Sequence, residues 1–248
     1  MHAELRLGYG IRVGHNAVAM LMRRAGLAGL SGSRGPRRRR IKPVDTPADL
    51  VDRNFARHGP DQLWVTDITE HPTREGKIYC AVVLDVFSRR VVGWSIDHSA
   101  TAGLVTSAPG MAISNRQPGS ETVIHPDQGT PYTSWAFTDR AQQSGLVPSM
   151  GSVGDCFDNA LMESFRARMQ VELLDRQRWR TRIELANAIF EYLEVFHNRQ
   201  RRHTAPEMRS PIEYERIHYE NDLELPWVCR RVFYLSPARP AGRPRVCC

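Results

Sequence analysis

The sequence has no run of about 18 apolar residues, so no segment reads as a bilayer-spanning helix. Its first residues lack the continuous apolar core and small-residue cleavage site of a secretory signal. A cytoplasmic protein with no membrane partner is expected. Cysteine is sparse: Cys80, Cys156, Cys229, Cys247 and Cys248 are odd in number and scattered, with no C-x-x-C pair. Neither a disulfide framework nor a cysteine zinc site is expected, and the thiols read as structural or incidental. Because no cysteine precedes Cys80, His2 and His15 cannot complete a Cys/His zinc finger. Lysine is almost missing, with 32 of the 34 basic residues being arginine, a bias read as base composition.

Acidic residues are missing from the two ends. Residues 1–43 carry ten basic side chains against the single acid Glu4, and residues 229–248 carry five arginines and no acid. Since the whole chain is at +7, the stretch 44–228 between these arms is net −7. A mildly acidic body between basic arms suits a protein whose arms grip phosphates and whose body holds cations. Disordered charged ends on an ordinary soluble body would look the same if the middle held no motif.

At 248 residues the chain can hold one sizeable core with appendages, or two small domains. Residues 16–27 place Val18, Leu21 and Met22 on one helix face with Arg23 and Arg24 beside it and Gly26 near the stop. This suits the last helix of a small DNA-binding unit. Only about fifteen residues precede it, so 1–30 is either a partial helix-turn-helix segment or a basic helical arm. Residues 31–46 read as a linker, Gly- and Pro-containing and carrying Arg37, Arg38, Arg39 and Arg40. The arginines form either a nucleic-acid tether or a merely solvated run.

From Leu63 the pattern turns to strands at about 63–69, 78–86 and 90–96, three in antiparallel succession. A helix over 101–115, a turn at 117–120, a strand over 121–125, a helix over 134–144 and a strand over 146–150 follow. Together they predict an α/β fold, a mixed five-stranded sheet with helices on its faces. Beyond Gly154 one long helix is expected to bury Leu161, Phe165 and Met169, which turns Glu163, two residues or about 200° away, outward with Asn159, Arg166 and Gln170. A second helix over 180–197 is expected to bury Ile183, Ala186, Ile189, Leu193 and Phe196. The domains then run 47–175 for the core, 176–216 for a helical extension and 217–248 for an irregular tail.

Three carboxylates stand out. Asp67 falls in the middle of an apolar, alternating strand, where both propensity and burial disfavour it. Asp127, beside Gly129, reads alone as a turn residue, and Glu163 alone as a solvated helix residue. With 35 residues between Asp127 and Glu163, a central strand, a strand end and a helix face can bring all three to one sheet edge. Ionised carboxylates about 5 Å apart would repel by roughly 3 kcal/mol per pair at an effective dielectric of 20. Divalent cations relieve that repulsion, and an all-oxygen set points to magnesium or manganese rather than zinc. Two such ions can serve the attacking and leaving oxygens of a displacement at phosphorus.

The pattern over residues 47–214 resembles the second-reading-frame transposases of bacterial insertion sequences, within the retroviral-integrase-like DDE superfamily. The motifs that carry it are Trp64-Val65-Thr66-Asp67, Asp85-Val86-Phe87-Ser88-Arg89, His125-Pro126-Asp127-Gln128-Gly129, Asp158-Asn159-Ala160 with Glu163-Ser164-Phe165, and Asn198 through Arg201 to His203 followed by Ser210-Pro211. The resemblance implies a ribonuclease H-like core, Asp67, Asp127 and Glu163 as ligands of two metal ions, nicking of DNA at element ends, and strand transfer by the freed 3′ hydroxyl. It further implies double-stranded DNA as partner, oligomers on that DNA, nucleoid association, and a product of an upstream overlapping frame as a second partner. His125, Gln128, Asn159 and Arg166 would support the acids or touch DNA. Arg199, Arg201, Arg202 and His203 would contact phosphate. Four departures accompany the match: Pro126 where the family usually has a small hydroxyl residue, Gln170 where lysine is common, His197 for a usual tyrosine, and a short helical start with an unfamiliar tail. They leave a second reading, a catalytically decayed protein that occupies element ends and represses transposition.

Overall fold

The computed structural model describes residues 1–29, 49–51, 54–126, 132, 135–149 and 160–224. At its centre a five-stranded sheet has the order β3-β2-β1-β4-β5, formed by β1 (Leu63–Thr73), β2 (Gly76–Asp85), β3 (Val91–Asp97), β4 (Val123–Pro126) and β5 (Val147–Pro148). β1, β2 and β3 are an antiparallel meander, while β4 runs parallel to β1 and β5 parallel to β4. This is the mixed sheet expected from the sequence.

Alternation along the strands divides the core in two. Leu63, Val65, Cys80, Val82, Leu84 and Val91 point to one face, and Trp64, Ala81, Val83, Val92 and Ile124 to the other. The second face is covered by α2 (Ala102–Arg116) and α3 (Trp135–Gln143). Thr101 caps α2 by accepting from the Leu104 amide, and Gln117 stops it in a left-handed conformation at φ 48°, where the sequence predicted a turn. The first face receives α4 (Ala160–Glu172) and α5 (Arg182–Glu191), the latter started by a capping box between Thr181 and Glu184. Glycine is required at Gly93, where a Cβ would stand 2.3 Å from the Ala108 carbonyl oxygen and 2.6 Å from the Ala112 nitrogen.

The buried stripe of the second long helix differs from expectation. Leu185, Ile189, Tyr192, Leu193 and His197 face the core, whereas Ile183 is 73% and Phe196 39% exposed. From Tyr192 to Gln200 the helix widens to π geometry. Near 4.4 residues per turn the inward position passes to His197 and Asn198 rather than Phe196. In α4, Met162 is fully buried while Leu161, expected on the buried side, is only partly so.

The amino-terminal segment contains a π turn at Glu4–Gly8 and α1 (His15–Arg24), with Val18 as its buried residue. His2 bonds the Val13 carbonyl at 2.9 Å and meets the His15 ring edge-on. An ion pair between Glu4 and Arg202 ties it to the body, and that guanidinium also reaches Glu213 of α6 (Pro211–Glu224). No described helix is long and apolar enough to cross a membrane.

Candidate active site

Asp67 lies on the α4 side of the sheet because it continues the Leu63, Val65 parity of β1, and its neighbour across the ladder is the core residue Val82. It is only 7% exposed. A buried carboxylate needs a cation or several donors, and Arg166 Nη1 stands 3.3 Å from Asp67 Oδ2. Arg166 is three residues after Glu163 on α4, so the two project from neighbouring turns of one flank. Glu163 is exposed there, as its helical phase predicts. The guanidinium therefore ties Asp67 to the helix flank that presents Glu163.

Asp127, Gln128 and Asn159 lie outside the described residues, as do Arg37, Arg38, Arg39 and Arg40. The strand leading to Asp127 is described. β1 and β4 are parallel neighbours whose last described pair is Thr66 with Pro126, each immediately before its aspartate. Pro126 costs little in this place. Val123 donates to β1 through Gln62, and Ile124 accepts from Ser149 on the β5 side, so alternation turns the Pro126 nitrogen toward β5 beyond that strand's last residue. The donor that proline lacks is thus outside the β1 ladder.

His125, opposite Val65 and on the Asp67 face, is buried; its Nδ1 bonds Ser149 Oγ at 3.1 Å and its ring meets Phe55 edge-on. Ser149 Oγ also accepts from the Leu50 amide, so residues on three segments fix this imidazole. Among the described residues no three His, Cys, Asp or Glu side chains cluster at metal-binding distance.

The basic residues expected to meet phosphate are differently placed. Arg23, Arg24 and Arg199 are exposed. Arg201 is committed to Glu172, at 2.7 Å, and Glu172 also accepts from the Tyr192 hydroxyl. Arg202 is held by Glu4 and Glu213. His203 accepts from Arg201 at 3.4 Å. Gln170 donates to Asp175 rather than reaching outward alone. The sequence reading carried Arg89 only as part of a motif and did not single out Arg168; both join His203 around a cavity beyond α4. The one signal for Arg168 was its i, i+4 spacing from Ser164.

His197 is buried among Phe165, Tyr192 and His203, and its Nε2 donates to the Arg89 carbonyl at 2.9 Å. Burial chiefly, with help from Arg201 and Arg168, pushes its pKa down to about 4. The unfolded chain takes up this proton as pH falls through about 6.5, whereas the folded chain resists until about 4. Stability from this group is full above 6.5 and declines below it. Asp85 works the other way: burial pushes it up to about 6. A comparison with His197→Phe isolates the histidine. The urea-unfolding advantage of wild type over the variant should shrink by about 2 kcal/mol between pH 7 and 5; a constant difference would show that His197 is not held neutral.

Comparison with known proteins places this geometry. Two family profiles, both described as an integrase core domain, match residues 57–156 and 144–211. The transposase of insertion element IS629 from Shigella sonnei is 37% identical over 191 residues, which are 77% of this chain and 64% of that protein. The InsF transposase of IS3A from Escherichia coli K12 is 36% identical over 214 residues, 86% of this chain and 74% of that protein. Among solved structures, the simian T-cell lymphotropic virus intasome bound to a PP2A regulatory subunit superposes with a TM-score of 0.52. It covers 99% of this chain and 80% of the matched one at 15% identity, a likeness of fold.

Proposed function

Because the chain belongs to the bacterial insertion-sequence transposases with an integrase core, we infer that it cuts DNA at element ends and joins the cut end to a target. The observation that carries this reading is Asp67, a carboxylate buried in a core strand and held by a cation one helical turn from Glu163. In the first step water attacks the phosphorus and the bond to the 3′ oxygen breaks, leaving a 3′ hydroxyl. That hydroxyl then attacks a phosphodiester of the target and expels its 3′ oxygen. No bond to the protein forms at either stage.

Asp67, Asp127 and Glu163 are the residues that would hold magnesium or manganese, two ions in this reading. The donor set fits: it is all oxygen, and the Arg166 guanidinium already rests where Asp67 favours positive charge. Bound there, the ions would supply charge neutralisation and a more acidic water. Arg166 balances Asp67 in the free protein and is placed to turn to a phosphate. His125, fixed by Ser149 and Phe55, supports the end of β4 from which Asp127 follows. Arg23, Arg24 and Arg199, exposed, and Arg37 to Arg40 would meet the backbone of double-stranded DNA. Several copies on that DNA, a nucleoid location and a partner from an upstream overlapping frame belong to the same reading. The chain spans 64% of the IS629 transposase's length, so the activity proposed is that of the core.

The test is strand cutting and joining on terminal-repeat DNA with magnesium, wild type beside Asp127→Asn. Wild type should give nicked and joined products and the variant neither. Equal products from both, or none from wild type, would overturn the assignment.

A further inference from the structure

A cavity of about 470 Å³ opens beside α4 on the flank formed by Leu161, Ser164, Phe165 and Arg168, spaced i, i+3, i+4, i+7. Glu163 and Arg166 project from the opposite flank, so this space is separate from the acids. Its walls differ in chemistry. Phe55, Leu84 and Phe165 give an apolar side, while Arg89, Arg168, Arg201 and His203 give a cationic one.

Two donors on the cationic side are unanswered. Arg89 Nη1 and His203 Nε2 are sealed from solvent and have no hydrogen-bond partner among the described residues. Arg201 Nη1 can only donate, so His203 Nδ1 accepts and the ring proton resides on Nε2. Both orphan atoms are therefore N–H donors sealed within the cavity wall, which a ligand meets once the Arg89 and His203 side chains turn toward it, and a buried donor without an acceptor is costly and needs a reason. Burial, and beside it the positive charge of Arg201, Arg168 and Arg89, disfavour a proton on His203, so the potential here is positive. Guanidinium and imidazole donors meeting at one cavity match the several oxygens of a phosphate. The volume lies within the range of small-ligand sites, and a phenyl-lined wall is the surface on which a base can stack.

We propose that this cavity is a second nucleotide site, which takes one phosphate on Arg89, Arg168 and His203 and the attached nucleoside against Phe55 and Phe165. It rests on the proposed DNA reaction only in taking a DNA strand as the expected source; a free nucleotide offers the same chemistry. Calorimetric titration of the whole chain in EDTA, with thymidine monophosphate and with a ten-residue oligothymidylate, tests it. Both probes should bind wild type, and both should lose about tenfold or more in Arg168→Gln and in His203→Phe. Arg168 is exposed, so its variant keeps the test decisive if His203→Phe fails to fold. Tight oligonucleotide binding with weak mononucleotide binding would assign the site to DNA, and the converse to free nucleotide; either supports it. No binding of either probe, or binding unchanged in Arg168→Gln, overturns it. Since the titration contains no divalent ion, a failed cutting assay leaves its result standing.

Discussion

Asp67→Asn should lose strand cutting and joining by about a thousandfold or more while its unfolding free energy stays within about 1 kcal/mol of wild type. The two halves have separate causes. Asparagine keeps the shape that fits beside Val65 and Val82, so no cavity opens in β1. The Arg166 side chain is 42% exposed, so losing its partner returns a guanidinium to water rather than stranding it. The amide also removes a charge from a site where burial disfavours one. For cutting, the loss is of a ligand charge in the oxygen set the reaction is proposed to need. Paired measurements of product formation and urea midpoint check it. Retained activity would remove Asp67 from the site, and a fall of several kcal/mol would make it a structural residue instead.

The largest stability effect should come from Gly93→Ala, a loss of about 3 kcal/mol read from urea or thermal unfolding. The added methyl would meet the backbone of α2 at Ala108 and Ala112, not a movable side chain. Relief needs the whole helix to lift from β3, which breaks the packing of Leu104, Val105, Ala108 and Ala112 on the sheet. Ala112→Gly in the same chain removes the methyl contact at 2.8 Å but leaves the Ala108 oxygen at 2.3 Å. The double variant should therefore stay close to the single one. Recovery of most of the loss would mean that the helix backbone yields readily.

The alternation that showed the strands in the sequence also fixed the side on which Asp67 projects, since its parity with Leu63 and Val65 is visible without coordinates. Glu163 was legible for a related reason: a helical phase set by Phe165 and Met169 leaves it outside. Periodicity misled where the period changed. Phe196 suits a 3.6-residue stripe with Leu193, but the π segment moves His197 inward instead. The cationic cluster after Asn198 was legible as charge but not as partnership. Glu172 and Glu4, which take Arg201 and Arg202, lie 29 and 198 residues away, beyond the reach of any local pattern. Arg116 is a like case, bridging Asp61 and Glu215 across the end of the sheet.

That bridge bears on the order in which the molecule is completed. Ser88 Oγ and the guanidinia of Arg90 and Arg116 all donate to the carboxylate of Glu215, which is 127, 125 and 99 residues later in the chain. The β2–β3 hairpin is local and can close as soon as its residues are synthesised. The polar lid over its turn cannot, because its acceptor emerges from the ribosome only after every strand of the sheet. Until α6 docks, two arginines at that end of the core lack the carboxylate that unites them. In a growing chain Arg116 keeps Asp61 alone, while Arg90 is left to attract whatever polyanion is nearest, and the ribosome offers a great deal of it.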